Sequence, residues 1–354
     1  MSTPILSMTD RIRDILATDP VGLEDGTAIG ESRSGRSLHA FRLGHGETNI
    51  SLIGGCHADE PVGPRLLCHL VAYLRSLPTD HEWLSRFTWW IVPHVNPDGA
   101  AINASWSGTG ADFYTAPEYD LTNYLSHVVR ELPGDDIEFG FPRDRDDQAC
   151  RPENRAVYDW WQQADRPFKL HASLHGMAFA AGPWFLFERS WLDRSQLLQQ
   201  TCVATVQSLG YELHDVERHG EKGFHRLARG FCSRPDSRAM AAHFQALDDH
   251  ETANKFRPSS METVRSFGGD PLTLVSEMPL FITPGVGREL GPPDLVAREW
   301  KDRIADWRLR LAQGLSPADI RSEAADFKLR PMPVADQMVI QWTFIVAGLA
   351  TATA

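Results

Sequence analysis

The segment Phe87-Thr88-Trp89-Trp90-Ile91-Val92 constrains the fold more than any other stretch of this chain. It is a continuous apolar, aromatic and β-branched run, and it stops at Pro93-His94-Val95-Asn96-Pro97-Asp98-Gly99, a dense turn signal. A strand without a polar face is buried on both sides, as happens when helices cover both faces of a sheet.

The rest of the chain supplies neighbours for such a strand. Further short strands are expected at residues 27–30, 37–43, 49–53, 169–174 and 272–275, with a final one at 339–346. After the third of these strands, Pro64 suits the first turn of a helix. Leu66, Leu67, Leu70, Val71, Leu74 and Leu77 then form one apolar face at helical spacing. Residues 10–16, 154–163, 195–209 and 295–311 read as helices, and Ser316-Pro317 opens a last one. Strands alternating with helices imply an α/β layered fold. With no Pro/Gly/Ser-rich linker in the chain, the expectation is one domain over residues 1–315, with 316–354 as a C-terminal helix and strand packed on it or extending it. Residues 103–152 read as irregular, and connections of that length are usually functional.

Charge and cysteine usage narrow the partners. Lys and Arg number 35 against 47 Asp and Glu, a net charge of −12. That balance speaks against nucleic acid, which needs a basic patch. Residues 1–19 lack the charged-then-apolar pattern of a secretory signal. The longest apolar stretch, 338–350, contains Gln341 and Thr343 and at about 13 residues is short for a bilayer, so no membrane is expected. As a strand it could also pair with a neighbour's sheet, which leaves a homo-oligomer open. Five cysteines without a CxxC pair suit neither a disulfide framework nor a cysteine zinc site, and the cytoplasm is the expected home.

Three potential metal ligands stand where strands end. His57 and Glu60 follow one strand in Gly54-Gly55-Cys56-His57-Ala58-Asp59-Glu60, and His175 ends another. Ligands of α/β sheets gather in the crevice at strand ends. Two imidazoles, one carboxylate and an open fourth position form a catalytic zinc set, whose bound water loses its proton more readily. Zinc suits this set best, with cobalt or manganese possible replacements in vitro. Glu277, just past a strand, is placed to move that proton. His171 lies on the same strand face as His175, but four residues at about 3.3 Å each put them roughly 13 Å apart, so one ion cannot take both.

The surroundings of these residues resemble the zinc carboxypeptidase family. Ile29-Gly30-Glu31-Ser32-Arg33-Ser34-Gly35-Arg36-Ser37-Leu38 is similar to its first Gly-x-Ser and Gly-Arg turn. Gly55-Cys56-His57-Ala58-Asp59-Glu60-Pro61 is similar to its HxxE motif, the Asn96–Gly99 turn to its Asn-Pro-Asp-Gly, Leu174-His175-Gly176 to its third-ligand motif, and residues 273–279 to the strand bearing its catalytic Glu. These weak signals occur in the family's order. The resemblance implies a mixed, mostly parallel eight-stranded sheet with helices on both faces, one Zn2+ per chain held by His57, Glu60 and His175, and hydrolysis of an amide. It implies that Glu277 takes the water's proton and passes it to the leaving amine, and that Asp136 supports His57 from behind.

The sequence departs from the family where substrate is gripped. In place of the Asn-Arg pair that holds a C-terminal carboxylate stand Glu138 and Phe139. Glu138 in that place repels a carboxylate and favours an amine or guanidinium. Asn154-Arg155 resembles a family segment that begins a helix, so Arg155 reads as structural. No Tyr follows Tyr211 to take the family's substrate-contacting role. For an arginine that steadies the oxyanion the candidates are Arg130, Arg143 and Arg145, the last also counted with Glu138 and Phe139 as substrate-binding. The expected activity is that of a zinc metallopeptidase or amidohydrolase of non-typical specificity, acting on a peptide or small amide. Two alternatives stand beside it. One is an aspartoacylase-like deacylase of N-acyl amino acids, with Arg143 and Arg145 as anion clamps. The other is a non-catalytic binding protein on the same fold.

Overall fold

The computed structural model describes residues 5–287, 290 and 294–354. Ten strands form one sheet: β1 (Thr27–Glu31), β2 (Ser37–Leu43), β3 (Thr48–Gly54), β4 (Phe87–Val92), β5 (Phe168–Ala180), β6 (Trp184–Phe187), β7 (Arg226–Ala228), β8 (Phe231–Ser233), β9 (Leu272–Ile282) and β10 (Arg330–Pro331). Their order is β1-β2-β4-β3-β5-β9-β6-β8-β7, with β10 paired to β9. The centre, β4-β3-β5-β9, is parallel. The flanking β1–β2, β2–β4, β6–β9, β7–β8 and β10–β9 pairs are antiparallel, and β6–β8 is parallel. The sheet is thus α/β and mixed as expected, but larger than eight strands and parallel chiefly in its middle.

β4 is buried along its whole length, and its side chains divide between two cores. Phe87, Trp89 and Ile91 join the core that includes the helix Val62–Ser76, whereas Trp90 and Val92 face the core that includes Trp160 and Trp161 of the helix Pro152–Trp161. That two-sided burial is why no polar residue alternates in the run.

The largest departure lies at the C-terminus. Residues 339–346, expected as a strand, lie inside a 19-residue helix, Val334–Ala352. This helix is long and apolar enough to cross a bilayer, but it is mostly buried inside the protein. Trp342 is fully buried, donates its indole N–H to the Met8 carbonyl at 2.8 Å and meets Trp83 at 5.8 Å between ring centroids. Phe344 packs 4.7 Å from Phe185. Its two buried glutamines face inward with purpose: Gln337 Nε2 donates to the Met332 carbonyl, and Gln341 Nε2 donates to the carbonyl of His175 at 3.2 Å. The C-terminal helix therefore braces the strand that carries a candidate metal ligand. Residues 103–152, expected as irregular, contain the end of the helix Pro97–Ser107 and the short helices Gly110–Thr115 and Leu121–His127.

Candidate metal centre

β3 ends at Gly54, and the chain turns through Gly55, whose φ of +71° suits glycine. A Cβ on Gly55 would also lie 2.7 Å from His94 Nδ1, so the turn is fixed by close packing. The turn aims His57 and Glu60 across the end of β5 before the helix Val62–Ser76 begins. His175 lies on β5 directly beside Glu277 of the parallel neighbour β9. Adjacent strands of one sheet thus carry a ligand and the candidate base at the same height.

Three ligand atoms converge. His57 Nδ1 lies 2.7 Å from Glu60 Oε1, His175 Nδ1 lies 2.9 Å from Glu60 Oε2, and the two Nδ1 atoms are 3.2 Å apart. Two nitrogens bound at about 2.05 Å to one tetrahedral ion stand roughly 3.3 Å apart, so the imidazole spacing fits a metal. The electrostatics agree. Burial disfavours every charge here, yet the neighbouring His57 and His175 hold the Glu60 carboxyl well below its usual range. Burial likewise opposes a proton on either imidazole, and the charge of Glu60 overrides it, raising both. The cluster favours positive charge at its centre.

The atoms around the three ligands orient them. His175 Nε2 faces Ser173 Oγ at 2.7 Å and Glu138 Oε2 at 3.1 Å, leaving Nδ1 for the centre. Asp136, expected behind His57, is instead bonded to the backbone N–H of Phe139 at 3.1 Å, and it acts on His57 through its charge rather than a hydrogen bond. Glu138, expected to face substrate, spends Oε2 on His175, while its Oε1 is buried out of solvent without a partner. His171 takes no part: it bridges Ser51 Oγ and Ser260 Oγ in the core at 3.0 and 3.1 Å.

The five motifs also explain one another. Asp98 of the Asn-Pro-Asp-Gly turn accepts from Ser32 Oγ at 2.7 Å and Ser34 N at 3.1 Å, and pairs with Arg36. Asn96 caps the helix Pro97–Ser107 through Gly99 N and donates to Glu131, which also accepts from Ala58 N beside His57. The first turn and the Asn-Pro-Asp-Gly turn therefore hold the ligand loop from outside.

A cavity of about 250 Å³ opens at the ligands, with Glu277, Arg130, Glu138 and Phe139 in its wall. Burial, then the charge of Glu60, pushes the Glu277 carboxyl up to about 8. Arg130 pairs with Asp59 and Glu60 at 3.3 Å each, and it separates this cavity from a larger one of about 690 Å³ that includes Tyr124, Phe179 and Trp300. Arg143 and Arg145 are not in the wall. The Arg143 guanidinium binds the carbonyls of Asn254 and Phe256, and Arg145 lines a separate cavity beside Trp161 and Phe168. The short, Asp-rich turn that carries both arginines is pinned away from the ligands by Arg155, which donates to the carbonyls of Arg145 and Asp147. Sequence reasoning missed Arg218, Lys222 and Phe224, which also line the cavity. Nothing local marks them, since the segment reads as an ordinary charged loop.

Residues 23–188 match the family model for zinc carboxypeptidase. Carboxypeptidase M of Mus musculus is 28% identical over 167 residues, covering 44% of this chain and 34% of its own length. Carboxypeptidase Z of Homo sapiens is 27% identical over 177 residues, 42% and 26% respectively. Carboxypeptidase B of Astacus astacus is 33% identical over 92 residues, 25% and 30% respectively. The chain thus covers about a third or less of these relatives. Among solved structures, carboxypeptidase A of Helicoverpa armigera aligns with 98% of this chain and 72% of its own at 12% identity and a TM-score of 0.47. Bovine thrombin-activatable fibrinolysis inhibitor aligns with 100% and 99% at 13% identity and a TM-score of 0.44. Over residues 23–188, a little under half of its length, the chain is thus similar to the zinc carboxypeptidases, at low identity. His57, Glu60 and His175 are grouped closely enough to hold a metal ion.

Proposed function

We propose that this protein is a zinc-dependent metallopeptidase that hydrolyses an amide bond, with Glu277 as general base. The observation that carries the reading is the convergence of His57 Nδ1, Glu60 and His175 Nδ1 beside a buried carboxyl, Glu277, that shares their cavity. A zinc ion bound there supplies Lewis acidity to the carbonyl and acidifies the attacking water.

The chain's own residues do the rest. Glu277, on the strand next to His175, has a carboxyl tuned toward neutral pH, as a group that takes and returns a proton requires. Ser173 and Glu138 keep His175 in one orientation. Arg130 is half-exposed at the junction of the two cavities and is the cation placed to steady an oxyanion, a role that Arg143 and Arg145 are too committed elsewhere to fill. The deacylase alternative loses the two clamps it was given, because both lie outside the cavity. Five free thiols, four of them buried, suit a reducing compartment, and the cytoplasm is the proposed location.

The test is Glu277→Gln in zinc-loaded protein against a panel of peptides and N-acyl amino acids. The expected result is a loss of about 10²- to 10⁴-fold in kcat with zinc content unchanged. Turnover that survives the substitution would refute Glu277 as the base.

A further inference from the structure

β5 is paired with β3 on one side only as far as Leu174, which lies opposite Gly54, where β3 ends. On its other side the pairing with β9 runs on through His175 and Glu277 to Ala180 and Ile282. His175 is therefore the first residue of β5 beyond the end of β3, and it carries a metal ligand at the point where the strand loses one neighbour. Side chains alternate across a sheet, so Ser276 points to the face opposite Glu277.

The C-terminal helix, Val334–Ala352, packs on that opposite face against β5 and β9. Two of its positions, seven residues and so about two turns apart, meet the strand pair. At Gly348 the backbones come close: a Cβ there would stand 2.4 Å from Leu274 Cδ1 and 3.3 Å from Leu170 Cδ1. At Gln341 a side chain bridges the gap. Its Nε2 donates to the His175 carbonyl on β5 and to Ser276 Oγ on β9, at 3.2 Å each. The His175 carbonyl can only accept, so the amide must turn its nitrogen toward the strands. Its Oε1 is left buried without a partner, which is costly in a core. One amide thus ties the backbone at a metal ligand to the residue before Glu277. Glu138 and Ser173 hold the ring of His175 through Nε2, whereas Gln341 holds its main chain.

We infer that Gln341 is a positioning residue, which from behind the sheet holds the His175 backbone against β9 at the place the metal site requires; this rests on the reading of His57, Glu60 and His175 as the metal ligands. It reaches neither the metal nor the substrate, and it acts only through the strands.

Gln337 supplies a matched control. It lies one turn earlier on the same helix, is fully buried, donates Nε2 to the Met332 carbonyl at 2.9 Å and leaves its own Oε1 buried without a partner. Among the described residues its amide bonds to neither β5 nor β9. If the two glutamines served only the packing of the helix, Gln337→Met and Gln341→Met would behave alike.

Zinc affinity of the full chain, measured by competition with a chelator of known affinity, separates the two roles. Gln341→Met and Gln341→Leu are expected to bind zinc about tenfold more weakly than the wild type, the lower end of the loss that follows when the support of a ligand histidine is removed. Gln337→Met is expected to bind zinc as the wild type does. Wild-type affinity in Gln341→Met overturns the inference, and so does an equal loss in Gln337→Met. Failure of both Gln341 variants to fold overturns it too, since the amide is then needed for the fold itself. A wild type that takes up no zinc defeats the reading of the ligands and the inference with it, whereas a zinc-binding wild type matched by Gln341→Met defeats the inference alone.

Discussion

Replacing Glu138 by Gln keeps the side chain's size and removes its charge from His175 Nε2. In the native site that nitrogen faces two acceptors, Glu138 Oε2 at 3.1 Å and Ser173 Oγ at 2.7 Å. Both are in a setting where His175 is almost fully buried, so solvent cannot take over from either. Losing a carboxylate that orients a ligand histidine typically lowers metal affinity about 10- to 100-fold, or roughly 1.4 to 2.8 kcal/mol. Ser173 remains in the single variant and still fixes the tautomer, so Glu138→Gln is expected near tenfold. Glu138→Gln with Ser173→Ala removes both acceptors and is expected near a hundredfold. Asp136→Asn is expected to weaken binding less than Glu138→Gln, because Asp136 reaches His57 through its charge alone. Competition for zinc against a chelator of known affinity, at fixed pH and salt, measures all three. Equal zinc affinity in wild type and in the double variant would refute the account of how His175 is held. A larger loss for Asp136→Asn than for Glu138→Gln would restore Asp136 to the role its sequence position suggests.

Acid should unfold the protein through histidines buried in neutral form. Burial lowers His94 and His214 to about 4 and His171 to about 3, with the charges of Arg234 and His175 adding to the effect at His171. A depressed histidine contributes stability that is whole above its unfolded value near 6.5 and is lost as pH falls toward the folded value, because the unfolded chain takes up the proton first. Each site accounts for roughly 3 kcal/mol over that window, so the urea midpoint should drop steeply between about pH 6.5 and 4; a flat profile there would contradict their burial as neutral rings. Trp342→Ala should lower unfolding free energy by about 3–5 kcal/mol, since the side chain is fully buried and bonded to Met8. A change under about 1 kcal/mol by chemical denaturation would mean the C-terminal helix does not pack as described.

The sequence made the centre of the fold legible because burial on both faces leaves a direct trace. β4, β3 and the helix Val62–Ser76 could be read from apolar runs and helical spacing. The ligands were legible because they follow strand ends, where the chain must turn. The C-terminal helix was not. Residues 338–346 are so uniformly apolar that a buried helix and a buried strand look alike over nine residues. The useful sign was Gln337 and Gln341, four apart and both fully buried, which is helical spacing. Extra strands β6, β7 and β8 escaped notice because each has three or four residues. That Glu138 rather than Asp136 contacts a ligand histidine, and that the histidine is His175, could not be read, since residues two apart in a tight turn can point to either ligand. Lys222 and Arg218 reach the cavity only through tertiary packing, and their loop carries no local mark.

Zinc bound per chain, measured by elemental analysis on wild type, His175→Ala and His171→Ala prepared side by side, tests the central claim most directly. The account predicts close to one zinc in the wild type and in His171→Ala, and far less in His175→Ala. Wild-type protein that holds little zinc and takes up none on reconstitution would contradict it, and so would a His175→Ala protein that stays fully loaded.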